Sequence, residues 1–472
     1  MSKPRVLFIL NEGRYVSLAH LLDRLAADGD IESWVGLSLV PRVDMEKIAK
    51  PEHRSRIQYL TETQNRFLTH SEAADYIAEV AARLPGVDFG KAFGAEKYPE
   101  RRFPNGLVDA AHMFDCLERL KKQERLDLVF SDFPAVALDM MAYYLFKETG
   151  GQTLYFIQGR IGARMLHIDN LEHPKREVQE LYDRYRKQGL SSEEARQAQD
   201  YLENFRRHKV KPAYFEMQIK PRNFFNSFRK MIYYPGGLNP RRMLKAKLKR
   251  MKAKRSWTKI PFQRIDERDR VVFYPIQYAP EASVYIRSPN YRDQVATASL
   301  LAQALPAGYT LYIKDHPLLK WDRDEAYYRR LLEFPNVKLL EYSTDSHDIL
   351  RAAKLTVTGS STAGMESLFY GVPVLLLGGA DTAYQNFQGV LKVGQQPLEE
   401  AIRRAMALEI REEDKRPMVL SLLNAGMPGR YDDPRWDPAI IGKENMDNLL
   451  RFFKSSLEKS KALKAAADAR AA

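Results

Sequence analysis

Between Arg270 and Gly378 the sequence alternates short apolar runs with amphipathic ones and never breaks the pattern. "RVVFYP" (270–275), "YTLYIKDHP", "VKLLE", "LTVTG" and "VPVLLLG" read as strands, and "RDQVATASLLAQAL", "DEAYYRRLLEF" and "DSHDILRAA" read as the helices between them. Strands alternating with helices of this length predict a parallel, doubly wound sheet. The N-terminal part shows the same grammar. A strand at Val6–Leu10 leads through "NEGRYVS" into a helix from about Ser17, with Leu18, Leu21, Leu22 and Leu25 on one face and Gly29 placed to end it. "LDLVFSD", the helical "FPAVALDMMAYYLFKETGG" and the strand "TLYFIQ" repeat the unit, while residues 41–120 are more polar and harder to read.

A chain of 472 residues is too long for one ordinary core, so two domains plus additions are expected. The fold class is α/β, with two Rossmann-like doubly wound parallel-sheet domains and a basic helical insertion between them. The divisions read as 1–170, 171–258 for the insertion, 259–430, and a helical tail at 431–472. In the insertion, "SSEE" (191–194) supplies a capped helix start.

The net charge of +13 is local. Residues 217–265 hold fifteen Lys or Arg and no acid, which leaves 59 basic against 61 acidic residues elsewhere, a net charge of −2. "FFNSFRKMIYY" interleaves rings with cations, a composition suited to an anionic membrane surface. Nonspecific solubility and a charged helix laid over the protein's own surface are the plainer alternatives. Nucleic acid is not expected, because no recognition helix or RNA-binding signature accompanies the charge. No apolar run approaches the roughly 20 residues that span a bilayer, and "VLFIL" is far short of a signal-peptide core. The expected location is cytoplasmic, peripheral at the inner membrane face. The single cysteine, Cys116, excludes an internal disulfide and reads as a small buried hydrophobe.

Ligands of an open α/β sheet bind beyond the carboxyl ends of its strands, and phosphates favour helix N-termini. At that edge "TGSSTAGMES" sets Gly359, Ser360, Ser361 and Thr362 at the mouth of a helix, with Glu366 one turn in. Glycine permits close backbone approach, hydroxyls donate to a phosphate, and a carboxylate can accept both hydroxyls of a ribose. The plainer readings are a helix cap, which needs one hydroxyl, and a surface glutamate. His316 stands at the end of the strand in "LYIKDHP" and is either a phosphate donor or a turn histidine, with Pro317 stopping the strand. Gln277 and Glu281 lie in "YPIQYAPEAS", with polar ends available to a sugar or base. In the N-terminal half, Glu12 and Arg14 ("LNEGR"), Asp132 ("FSDFP"), and Arg160 and Arg164 ("FIQGRIGARM") occupy loops after strands. Arginines there suit an anionic substrate, although a lone loop arginine is commonly just solvated.

Taken in order, "YPIQYAPEAS", "YIKDHP" and "TVTGSSTAGMESLFYGVPVLLLG", with a softer echo in "FIQGRIGARM", resemble the bacterial capsule polysaccharide biosynthesis proteins that include Kdo transferases. The likeness covers roughly residues 270–380 well and the N-terminal half in outline. It implies a glycosyltransferase of the GT-B architecture, with a nucleotide-sugar site in the C-terminal domain and a glycan or glycolipid acceptor in the N-terminal one. His316, Ser360, Ser361 and Thr362 would hold the donor phosphate, Glu366 the ribose and Gln277 the sugar or base. Arg14, Arg160 and Arg164 would serve the acceptor. It further implies no metal and no cofactor, since the nucleotide-sugar is a substrate. The insertion has no counterpart in the resemblance. No motif marks the catalytic carboxylate either, so Glu12, Asp132 and Glu281 are candidates by position. The donor base is open among cytidine, uridine and guanosine nucleotides, cytidine entering only by the analogy. The alternatives are a nucleotide-sugar 2-epimerase of the same fold and a non-catalytic membrane-docking assembly protein.

Overall fold

The computed structural model describes residues 3–10, 15–94, 106–133, 136–171, 173–208, 248, 251, 254–255, 257–279, 282–319, 323–378, 382–432, 434 and 437–471. The chain forms two compact units, one of residues 1–177 with 423–472 and the other of 178–422.

The first unit is built on β1 (Arg5–Leu10), β2 (Ser33–Ser38), β3 (Ile57–Tyr59), β4 (Leu128–Asp132), β5 (Gln152–Gln158) and β6 (Arg164–Ile168). The sheet runs from the short strand Met427–Pro428 through β6, β5, β4, β1 and β2 to β3. Strands β1 to β5 pair in parallel, whereas β6 returns antiparallel on β5. Its helices are α1 (Tyr15–Ala27), α2 (Arg42–Met45), α3 (His70–Arg83), α4 (Phe89–Gly94), α5 (Gly106–Gln123) and α6 (Ala137–Glu148). Leu18, Leu21, Leu22 and Leu25 of α1 are buried on the sheet, as their spacing predicts, and Gly29 ends the helix at φ +79°, where a side chain would be strained. Cys116 is a free, buried thiol.

The C-terminal helix Lys443–Ala471 covers this same sheet. Phe453 meets Phe130 and Phe156 at centroid distances of 5.0 and 4.9 Å. Each such buried ring contributes about 2–3 kcal/mol in transfer terms, which ties the end of the chain to its beginning.

The chain enters the second unit within α7 (Arg176–Gln188), continues through α8 (Ser192–His208), and then builds β7 (Arg270–Pro275), α9 (Ala282–Tyr285), α10 (Gln294–Ala304), β8 (Tyr309–Lys314), α11 (Glu325–Leu331), β9 (Val337–Leu340), α12 (Ser346–Ala352), β10 (Ala353–Thr358), α13 (Thr362–Phe369), β11 (Val374–Leu376), β12 (Val390–Lys392), α14 (Leu398–Met406) and α15 (Glu412–Asn424). All six strands are parallel, in the order β12-β11-β10-β7-β8-β9. Alternate residues feed the two faces. Val272, Tyr274, Leu311 and Ile313 pack beneath α10, α11 and α14, while Val271, Phe273 and Tyr312 meet Ile349 and Leu350 of α12 and Ala363 of α13. Two helix-covered sheets of this order confirm the expected Rossmann-like α/β class.

The helices of the expected insertion that are described pack onto this second unit. Ser191 and Glu194 form the anticipated capping box of α8 at 2.9 and 3.2 Å. Tyr182 of α7 packs against Phe387 in a tilted pair at 4.4 Å, and Phe205 of α8 meets Phe369 edge-on at 5.2 Å. Of the basic segment 217–265, only Leu248, Met251, Lys254, Arg255 and 257–265 lie among the described residues. Trp257 packs with Phe262 and Tyr328 at 4.8 and 5.6 Å, anchoring the end of that segment to the second core.

Candidate functional site

Strand order decides where the chemistry of the second unit collects. After β7 the chain winds outward through β8 and β9, then returns to place β10 on the other side of β7. The loops leaving β7 and β10 therefore diverge at a switch point, the crevice in which doubly wound sheets bind ligands.

Gln277, just beyond β7, spans that crevice. Its Nε2 donates to Ser360 Oγ at 3.3 Å, and its Oε1 accepts from the Ser360 backbone N–H at 3.2 Å. Its own backbone is held by the buried Gln294 of α10, which accepts from Gln277 N at 2.6 Å and donates to Gln277 O at 3.0 Å. Gly359 is required because a Cβ there would overlap Ser288 Oγ and Gln277 Oε1. Gly378, after β11, is bare for a related reason: a Cβ would strike Gly359 O and Ser288 Oγ. Three loops thus meet with no room for a side chain between them.

The three hydroxyls divide their work. Ser361 is the N-cap of α13, its Oγ accepting from Ala363 N at 3.2 Å, while its own N–H donates to Thr358 Oγ1 at 3.1 Å. Ser360 is buried against Gln277. Thr362 is half-buried and its hydroxyl bonds Glu366. Tyr384 fixes the turn by donating to Ser361 O at 2.6 Å. An anion arriving here meets the positive end of α13 and can replace a capping oxygen, since both offer an acceptor to the same N–H groups.

Glu366 sits one turn into α13 and is only 9% exposed. Burial raises its carboxyl to about 7, against the lowering effects of the Thr362 bond and the Lys314 charge. Lys314 is itself buried at the end of β8, where its Nζ donates to Ser346 Oγ at 2.8 Å. His316, half-buried in the next loop, lies edge-on to Tyr278 at 5.7 Å. Its backbone N–H donates to Asp315 Oδ1 at 2.7 Å, and Asp315 Oδ2 accepts from Tyr328 at 2.8 Å. Asp315 therefore orients the His316 turn.

Gln277, Gly359, Ser360, Ser361, Thr362 and Glu366 are brought together around this crevice, and His316 lies at the same edge of the sheet, beyond β8. In the first unit, Asp132 ends β4 and is buried and Arg160 is exposed in a loop, whereas Arg164, expected in a loop, opens β6, where pairing with Pro428 fixes it and its Nε donates to the Leu423 carbonyl at 2.8 Å. Glu12, Arg14 and Glu281 lie outside the described residues. Sequence reasoning missed Lys314, Asp315, Ser288, Gln294 and Tyr384. Lys314 and Asp315 adjoin the quoted His-Pro pair and were within reach, whereas the others act from loops that only the fold brings near.

The sheet order and the crevice define the class: an α/β protein of two Rossmann-like units, the second with a polar, anion-compatible switch point. The chain belongs to the capsule polysaccharide biosynthesis protein family, whose model matches residues 169–408, half of the chain. No curated protein matches the sequence. Among solved structures it is similar to the Thermosulfurimonas dismutans KpsC β-Kdo 2,7-transferase, at 14% identity over 70% of this chain and 89% of that one, with a TM-score of 0.37. It is also similar to the β-Kdo 2,4-transferase of the same KpsC, at 16% identity over 62% of this chain and 79% of that one, TM-score 0.36. A third is the Methanocaldococcus jannaschii UDP-GlcNAc 2-epimerase in complex with UDP-GlcNAc and UDP, at 9% identity over 89% of this chain and 99% of that one, TM-score 0.31.

Proposed function

We propose that this protein is a glycosyltransferase that moves a sugar from a nucleotide-sugar to a bacterial surface polysaccharide or glycolipid. The observation that carries the reading is the convergence of Gln277, Ser360, Thr362 and Glu366 on the switch point of a parallel sheet, in a chain of the capsule polysaccharide biosynthesis family. The donor phosphate would lie against the N-terminus of α13, whose amides and dipole stabilise the charge that the leaving nucleotide gains. His316 would donate to that phosphate. Glu366, ionised, would accept the two ribose hydroxyls.

In the transfer, an acceptor hydroxyl oxygen bonds the anomeric carbon as the bond from that carbon to the phosphate oxygen breaks. The electron pair leaves with the nucleotide, and a carboxylate takes the hydroxyl proton. Asp132, Glu12 and Glu281 are the candidates for that base, and Arg14, Arg160 and Arg164 for acceptor contacts. The basic segment 217–265 would hold the protein to an anionic membrane. No helix of the described residues is long and apolar enough to cross one.

The test is calorimetric titration with CMP, UDP and GDP, alongside His316→Ala and Glu366→Ala. Saturable binding of one nucleotide, weakened at least tenfold by either substitution, about 1.4 kcal/mol, supports the reading. Binding of none would defeat it. Epimerised sugar formed without acceptor would point to the 2-epimerase alternative. Retention on anionic liposomes, lost on deleting 217–265, tests the membrane component separately.

A further inference from the structure

Helix α8 lies outside the βα repeat, yet it packs on the one face of α13 that matters. Glu366, Phe369 and Tyr370 stand at i, i+3 and i+4 on α13 and so share a face. Tyr201 and Phe205, at i and i+4 on α8, stack with one another at 6.4 Å and 16°. Tyr201 meets Phe369 edge-on at 6.2 Å, and Phe205 meets Phe369 and Tyr370 at 5.2 and 5.8 Å. Arg206 locks the pair by donating to the Phe369 carbonyl at 2.7 Å. α8 therefore covers the side of α13 that Glu366 shares with Phe369 and Tyr370. The Tyr201 hydroxyl registers the proximity: burial, and then the charge of Glu366, push it up to about 12.

We propose that Tyr201 is a positioning residue of the donor site, its ring sealing the outer side of Glu366 so that a ribonucleotide reaches the carboxyl only from the carboxyl edge of the sheet. This rests on the reading of the switch point as a nucleotide site. Lys314 of β8, Asp345 at the cap of α12 and the Thr362 hydroxyl of α13 itself act on the carboxyl, and its charge in turn acts on Tyr201 of α8. The Lys314 charge and the Thr362 bond favour the carboxylate, Asp345 opposes it, and dryness opposes it most. A ribose diol donates two hydrogen bonds and needs the ionised form. Ribonucleotide binding accordingly strengthens as pH rises through neutrality, and the seal sets where that happens.

The experiment measures, from pH 5.5 to 8.5, the affinity of whichever of CMP, UDP and GDP the wild type binds, together with its 2′-deoxy form. The deoxy form carries the same phosphate titration and keeps its 3′ hydroxyl, so the ratio of the two affinities isolates the 2′ hydroxyl's bond to Glu366. In wild type this ratio rises with pH, by up to about tenfold per pH unit at its steepest. Tyr201→Phe, which keeps the ring, leaves the midpoint in place. Tyr201→Ala admits water and moves the midpoint down by about one unit or more, toward the ordinary glutamate range. Glu366→Gln flattens the ratio. Where Tyr201→Ala lowers the melting temperature into the assay range, Tyr201→Val leaves part of the cover and gives a partial shift. An unmoved midpoint in the Ala or Val variant overturns the proposal, as does a shift in Tyr201→Phe equal to that in Tyr201→Ala. Failure of the wild type to bind any of the three nucleotides instead overturns the donor-site reading, and this proposal with it.

Discussion

Replacing Glu366 by Gln should make the ligand-free protein more stable, and only above a certain pH. The carboxyl's affinity for a proton rises from an ordinary glutamate value of 4.5 in the unfolded chain to about 7 in the folded one, chiefly through burial. Because the folded state holds the proton more tightly, this group contributes fully below about pH 4.5, loses that contribution as pH climbs toward 7, and is level beyond. At about 1.4 kcal/mol per pH unit, the loss is about 3 kcal/mol. Glutamine has the same shape and no charge to desolvate, so its stability does not follow this curve. Urea unfolding of both proteins at pH 5 and pH 8, followed by a probe in the second unit, gives the comparison. The two should lie close together at pH 5, and the variant should lead by about 3 kcal/mol at pH 8. A difference that stays flat between those pH values, or a variant that is the less stable at pH 8, would refute the reasoning. Either result would mean that Lys314 and the Thr362 hydroxyl hold Glu366 ionised despite its burial.

Other parts of the molecule give sharper structural tests. Gly364→Ala should destabilise by about 1–3 kcal/mol in thermal melts, because its Cβ would overlap the Tyr384 ring and hydroxyl that clamp the start of α13. His53→Ala should cost about 1–3 kcal/mol, since His53 bridges Tyr15 at 2.5 Å and Asp23 at 2.7 Å inside the first unit, although Asp23 keeps the Trp34 Nε1 donor at 3.1 Å. A cost below about 0.5 kcal/mol would show that water replaces the bridge. Cys116 is buried and its thiol is raised by that burial, so it should resist a disulfide reagent at pH 8 in the native protein and react fully in urea. Rapid labelling of the native protein would place it at the surface instead.

What could be read from the sequence alone was whatever short-range physics controls. Alternating apolar runs and helical periods announced β7 to β11 and their helices, because side-chain direction repeats every two residues in a strand and every 3.6 in a helix. The α8 capping box and the Ser361 cap were legible because both partners lie within three residues of each other. Gly29 marked the end of α1 for the same local reason. Gln277 was recognised as polar and well placed, but its bonds to Ser360 cross 83 residues and exist only because strand order sets β7 beside β10. Glu366 was picked out by its position in the helix, while its raised proton affinity depends on burial that no local pattern encodes. The cover comes from α8, more than 150 residues earlier in the chain. The C-terminal helix likewise reads as a plain amphipathic segment until Phe453 is found against Phe130 and Phe156. Local sequence determined which segments would be strands and helices and where they would stop. Tertiary structure decided which polar groups meet and which are dry, because contacts between distant residues and the exclusion of water arise only when the sheets close over their helices.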